Sequence, residues 1–161
     1  FINQEKEMLT TSLATADDTP NIYLAGNSSL LSTAGPAMYQ SGIIELAGGK
    51  NVASDISDTY WAEISYEQLL SWNPDYIILA SDAEYTVDDV LSDPNLKDCT
   101  AVKNNHVYAI PGDIEALDSP VPASILASIW LAGILHPDQV STDTYTKEMN
   151  SFYETFYGIK K

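Results

Sequence analysis

Apolar positions along the chain fall into short continuous runs separated by longer stretches with helical spacing. Up to about Ala16, Ile2, Met8, Leu9 and Leu13 stand among polar residues at loosely helical intervals, and the stretch stops at Asp17-Asp18-Thr19-Pro20. Asn21-Ile-Tyr-Leu-Ala-Gly26 is β-prone and closed by glycine; a polar loop to Gly35 follows. Pro36 suits the first position of a helix carrying Ile43, Ile44, Leu46 and Ala47, and Gly48-Gly49 is its stop signal. The alternation then repeats. Asn51-Val-Ala-Ser54 predicts a strand and 55–63 a loop, and Ser65-Tyr-Glu-Gln68 has the form of a capping box ahead of Leu69, Leu70 and Trp72.

Asp75-Tyr-Ile-Ile-Leu-Ala80 is apolar almost throughout, as a strand covered on both faces must be. A short helix is expected over Val87–Leu91, a strand over His106–Ile110 and a long loop from Pro111 to Pro122. The apolar run from Val121 to Leu135 is too short for the ~20 residues of a membrane span and reads as a buried helix ended by His136-Pro137. From about Asp143, Met149, Phe152, Tyr153 and Phe156 repeat at i, i+3, i+4, i+7 ahead of Gly158, the mark of an amphipathic closing helix. Four strands alternating with helices predict an α/β sandwich with a largely parallel sheet. Ligands in such folds bind beyond the carboxyl ends of strands, which directs attention to the loops after Gly26, Ser54, Ala80 and Ile110.

Charge narrows the partners. The 161 residues hold 23 Asp and Glu against 7 basic residues, all of them Lys, for a net charge of -16. Nucleic-acid binding requires basic groups to neutralise phosphates, so that class is excluded. Without arginine, a carboxylate- or phosphate-bearing ligand must take its positive partners from Lys, backbone amides or another domain. Cys99 is the only cysteine, so neither an internal disulfide nor a cysteine-based metal site is available.

Catalytic signatures fail in turn. Gly48-Gly49-Lys50-Asn51 has Asn where a phosphate loop needs Ser or Thr, and it follows a helix instead of a strand. Dinucleotide-binding glycines are missing, and Gly26-Asn27-Ser28 lacks the second glycine of a nucleophile elbow. His106 reads as a strand-edge residue and His136 as a helix-end residue favoured by the dipole. The pairs Asp82/Glu84, Asp88/Asp89 and Asp113/Glu115 have the composition for acid–base work or Ca²⁺, yet no six-oxygen loop with a central glycine is visible. No cofactor and no metal ligand set is expected.

Several linked motifs then line up in order. Glu45-Leu-Ala-Gly-Gly-Lys-Asn-Val-Ala53 and Trp61-Ala-Glu-Ile-Ser-Tyr-Glu-Gln-Leu-Leu-Ser-Trp-Asn-Pro-Asp-Tyr-Ile-Ile-Leu79 come first, followed by Ala101–Pro111, Ser119-Pro120, Trp130-Leu-Ala132, Leu135-His-Pro137 and Phe152–Gly158. They closely resemble the C-terminal half of periplasmic iron-complex and cobalamin binding proteins, the class III solute-binding components of ABC importers. The resemblance implies a three-layer α/β sandwich with a mainly parallel sheet, a Rossmann-like lobe. Residues 1–18 would be the end of the long helix that joins the two lobes of such proteins, and 19–161 the C-terminal lobe, with the N-terminal lobe lying outside this chain.

By the same resemblance the ligand is an iron-siderophore, haem, corrinoid or related metal chelate, and the partners are ABC permease subunits. The protein would act as a monomer outside the cytoplasm, in the periplasm or lipid-anchored at the cell surface. Trp61 matches a position whose ring faces the ligand, the alternative being a core Trp covering the sheet end. Trp72 and Trp130, on expected helices, are packing residues. Tyr60, Ser32, Thr33, Met38, Tyr39, Asp82 and Tyr85 are further cleft candidates. Asp113 matches an acidic contact of cobalamin-binding members, but Leu117 stands where those members place a basic one, which argues against their contact pattern. A neutral or cationic chelate is favoured by the missing arginines. Glu67 matches a surface glutamate presented to a transporter arginine; it equally suits the first turn of a helix, where the dipole favours an acid. An α/β enzyme using strand-end carboxylates and an extracytoplasmic sensor domain remain alternatives.

Overall fold

The computed structural model describes residues 1–56 and 60–159, so part of the expected 55–63 loop lies outside the described residues. Six strands form one sheet: β1 (Asn21–Ala25), β2 (Ser32–Ala34), β3 (Lys50–Asn51), β4 (Trp61–Glu63), β5 (Tyr76–Leu79) and β6 (Val107–Ala109). Their order is β4-β2-β1-β5-β6, with β3 beside the start of β1. The β1–β3, β1–β5 and β5–β6 pairings are parallel. Both β2 pairings, to β1 and to β4, are antiparallel.

Among the described residues seven α-helices accompany the sheet: α1 (Ile2–Leu13), α2 (Tyr39–Leu46), α3 (Tyr66–Trp72), α4 (Val87–Leu91), α5 (Thr100–Lys103), α6 (Ile125–Leu135) and α7 (Thr142–Tyr157). Side chains alternate across a strand, and the central pair divides accordingly between two cores. Ile22, Leu24 and Ile78 pack under α1, α2, α6 and α7 with Leu9, Ile44, Leu126 and Phe152. Tyr23, Ala25, Ile77 and Leu79 pack on the other face with Leu69, Val90, Leu96 and Ala101. Two buried faces explain why 75–80 is apolar throughout, and the resulting three layers match the expected architecture. Helix α6 is apolar all round because it lies between the sheet and the α1 and α7 helices, and nine of its eleven residues are buried. No helix among the described residues is long and apolar enough to cross a membrane.

Local chemistry sets the element ends. Gly48 takes φ +79° after α2, and Gly158 takes φ +67° after α7, the left-handed stop that glycine makes without a Cβ penalty. The Ser65 hydroxyl accepts from the Gln68 amide at the start of α3. The complete capping box lies at α4, where the Thr86 hydroxyl accepts from the Asp89 amide and the Asp89 carboxylate accepts from the Thr86 amide. The expectation of four strands is corrected to six: the regions read as loops contain β2 and β4. Each has three residues, and Ser32-Thr-Ala34 carries no alternation long enough to register as a strand. Thus Trp61, expected in a loop, begins a strand.

Candidate functional site

The carboxyl ends of β1, β5 and β6 lie at one end of the sheet, and backbone ties hold their loops together. The Gly26 amide donates to the Ser32 carbonyl (2.8 Å), the Ala80 amide to the Ala25 carbonyl (3.0 Å) and the Glu84 amide to the Asn27 carbonyl (2.8 Å). Above these ends lies an open cavity of about 370 Å³ lined by Asn27, Ser28, Ser32, Met38, Gln40, Trp61, Asp82, Asp118 and Ser119. It sits where an open α/β sheet places its ligand.

Trp61 reaches the cavity through two antiparallel steps. Its partner in β2 is Ala34, and β2 is held to β1 by the Ala25–Thr33 pairing. The indole lies close over Gly26: a Cβ at that glycine would stand 3.2 Å from Trp61 Cζ3 and 3.1 Å from the Ser32 carbonyl oxygen. The missing side chain therefore lets the ring approach the strand end closely while 39% of the residue stays exposed. A part-exposed indole lining the cavity can pack against a flat or cationic group.

The opposite wall is acidic. Asp82 accepts a short hydrogen bond from the Asn27 side-chain amide, which links the β5 and β1 loops. Asp118 is 5% exposed, and its carboxylate accepts from the Ser81 hydroxyl (2.5 Å) and from the Ser81 amide (3.2 Å). This clamp fixes the long 111–122 loop to the end of β5 and brings Ser119 to the cavity. The side-chain amide of Gln40 in turn donates to the Asp118 carbonyl (3.0 Å), tying the start of α2 to the same loop.

Four of the residues singled out from sequence, Ser32, Met38, Trp61 and Asp82, are brought together at this cavity. Tyr60, 67% exposed, adjoins Trp61 without lining it. Thr33 is fully buried and its hydroxyl donates to the Leu24 carbonyl (2.7 Å), which braces β2 on β1. Tyr85 braces as well: its hydroxyl donates to the Gly26 carbonyl (2.6 Å), and burial pushes its ionisation well above the usual tyrosine range, so it stays a donor. Tyr39 faces a separate groove with Ile2, Val121 and Pro122. Asp113 lies in another recess with Pro111, Tyr145 and Tyr153, and Leu117 is buried in the core.

The cavity residues not singled out from sequence are Asn27, Ser28, Gln40, Asp118 and Ser119. Asp118 had a signal, since it directly precedes the Ser119-Pro120 landmark. Of the histidines, His106 stacks on Tyr76 with ring centres 4.4 Å apart. His136 is buried with Nε2 3.1 Å from the Gly48 carbonyl, so both are structural residues. Among the described residues no group of three or more His, Cys, Asp or Glu side chains is arranged to hold a metal ion. Trp72 packs near Tyr23 and Trp130 against the α6 core. Glu67 is exposed in the first turn of α3, on the face away from α6 and α7.

Residues 1–114 match the family model described as Periplasmic binding protein. The molybdate-binding protein MolA of Haemophilus influenzae is 29% identical over 143 residues, 88% of this chain and 40% of that protein. Its structure with molybdate bound superposes with a TM-score of 0.85 over 99% of this chain and 49% of the other. A cobalamin-binding protein of Halobacterium salinarum is 27% identical over 65% of this chain and 29% of its own length. A periplasmic solute-binding protein of Veillonella parvula is 26% identical, with a TM-score of 0.86 over 99% of this chain and 49% of that one. The chain thus spans about half the length of these solved relatives or less. These relatives are solute-binding proteins and not enzymes. With 114 of its 161 residues matched to the family model and the fold shared over nearly its whole length, the chain belongs to the periplasmic binding protein family.

Proposed function

We propose that this chain forms one wall of the ligand cleft of an ABC importer's solute-binding protein, and that its ligand is a metal chelate, whether corrinoid, haem, ferric siderophore or a related complex. The observation that carries the reading is the strand-end cavity. Its supported indole and its ring of amides and hydroxyls fit one face of a bulky polar complex, and its openness leaves the other face to a second wall. Residues 19–161 would be the lobe that carries this wall and 1–18 the end of the helix joining it to its counterpart. Ser32, Met38, Trp61 and Asp82 act as contacts from this side, with Asn27, Gln40 and Ser119. Tyr60 lies at the rim; Thr33 and Tyr85 support the floor.

Delivery would take place outside the cytoplasm, with a monomeric binding protein docking on permease subunits through Glu67. Expression from the full reading frame, followed by melting with dicyanocobinamide, haemin and ferric siderophores, tests the ligand class. One of these should raise Tm, by about 2.7 kcal/mol of stabilisation at a hundredfold excess over Kd, and Trp61→Ala should abolish the rise. A rise untouched by Trp61→Ala, or none with any complex, rejects this ligand class. For docking, Glu67→Ala should slow uptake while ligand affinity stays unchanged.

A further inference from the structure

Among the described residues the strand-end wall carries two carboxylates and no cationic side chain. Asp82 and Asp118 line it, and no Lys, Arg or His stands among its lining residues. The chain has no arginine, and among the described residues Lys6, Lys50, Lys103 and Lys147 lie elsewhere. Lys50 begins β3, beside the opposite end of β1, Lys103 is 3.7 Å from Asp98, Lys147 pairs with Glu148, and Lys6 lines the separate groove by Tyr39. The remaining polar lining groups are the amides of Asn27 and Gln40 and the hydroxyls of Ser28, Ser32 and Ser119.

A positive element nearby is the start of α2, where Met38 and Gln40 reach the cavity and Met38 makes no side-chain cap. A helix N-terminus is equivalent to roughly half a positive charge. Two carboxylates outweigh it by about fourfold in charge. The Asp118 carboxylate is also held in place by both Ser81 donors, so it cannot swing away to admit an anion.

From this arrangement we infer that the wall selects a ligand of net positive charge, or a neutral one that presents hydrogen-bond donors, and rejects an oxyanion. The inference rests on the solute-binding reading and fixes the charge class of its ligand. It separates this chain from its molybdate-binding relative in substrate, though not in fold. The Asp82 carboxylate would meet coordinated water, ammine or amide N–H groups at the edge of a cationic metal complex, with the charge of the Ser81-bound Asp118 behind it. Trp61 would lie against its flat or cationic face.

The test compares probes of opposite charge on the protein expressed from its full reading frame. Diaquocobinamide and dicyanocobinamide share one corrin and differ in charge; hexaamminecobalt(III) and molybdate supply a compact cation and a compact oxyanion. Calorimetry at fixed ionic strength is expected to rank diaquocobinamide above dicyanocobinamide, to detect hexaamminecobalt(III), and to detect no molybdate binding at this site. Asp82→Asn should weaken the cationic probes by about fivefold per unit of ligand charge, the Coulomb effect at contact distance in a water-like dielectric, and leave the neutral probe within about twofold. Saturable molybdate binding that Trp61→Ala abolishes would overturn the charge inference while supporting a ligand site here. Equal affinity for the two cobinamides, or cation binding untouched by Asp82→Asn, would also overturn it. Absence of binding by every probe would reject it too; the solute-binding reading would then still be open to the Glu67 uptake experiment.

Discussion

The clamp between Asp118 and Ser81 allows two substitutions of one residue to be set against each other. Asp118→Ala removes both acceptors, leaving the Ser81 amide without its partner and the 111–122 loop without its tie to β5. A hydrogen bond to a charged group contributes about 1.5–3 kcal/mol, and an orphaned buried donor costs about 1–3 kcal/mol. Ser81 is only half-buried, so water recovers part of this, and we expect a net loss of about 2 kcal/mol. In a domain of this size each kcal/mol shifts Tm by about 2–4 °C, so Tm should fall by roughly 4–8 °C. Asp118→Asn keeps the pattern available: the amide oxygen accepts from the Ser81 N–H while its NH₂ donates to the Ser81 hydroxyl, which turns to accept. That variant should lose less than about 1 kcal/mol. Thermal melting and urea titration with an unchanged m-value are the assays. Equal losses in the two variants, or no loss in either, would refute the clamp as the element that positions this loop.

Gly48→Ala should destabilise by about 2 kcal/mol or more by urea titration, since φ is +79° there and the new Cβ would stand 2.7 Å from His136 Nε2. Thr86→Ala should cost about 1 kcal/mol as a lost helix cap. The Thr86 amide and then its hydroxyl hold the Asp89 carboxyl below the usual aspartate range. A depressed folded value means that the stabilisation is present above the unfolded pKa and is lost as pH falls below about 4. In an NMR titration Asp89 should therefore titrate low, and Thr86→Ala should return it upward. Tyr85→Phe should loosen the Gly26 loop at a cost of about 1 kcal/mol, read by melting, without removing any cavity-lining group.

The central layers were legible because burial on both sides leaves a plain mark: Ile77, Ile78 and Leu79 have no polar alternative, and α6 is apolar all round. The helix ends were legible where Gly48 and Gly158 take left-handed conformations. The three-residue strands β2 and β4 were not, since Ser32-Thr-Ala34 becomes a strand only when β1 offers an edge to pair with, and β4 only when β2 is in place. The site follows the same division. Trp61 stood out through the resemblance of its motif to a ligand-facing family position, whereas Gly26, whose lack of a side chain leaves room for the indole, is indistinguishable in sequence from any turn glycine. Asp118 escaped because its role depends on Ser81, 37 residues away. Thr33 and Tyr85 belong to the right loops, but their hydroxyls turn inward to the carbonyls of Leu24 and Gly26, a direction that spacing alone does not encode.

Hydrogen–deuterium exchange on the protein expressed from its full reading frame, with and without a complex that raises its Tm, tests the central claim most directly. The account predicts that ligand-induced protection within this chain concentrates in the segments around 26–32, 81–85 and 117–120, with the α1 and α7 helices unchanged on their outer faces. Protection confined to the groove beside Tyr39, Val121 and Pro122, or to the opposite end of the sheet around Asp18, Asp75 and His106, would contradict it.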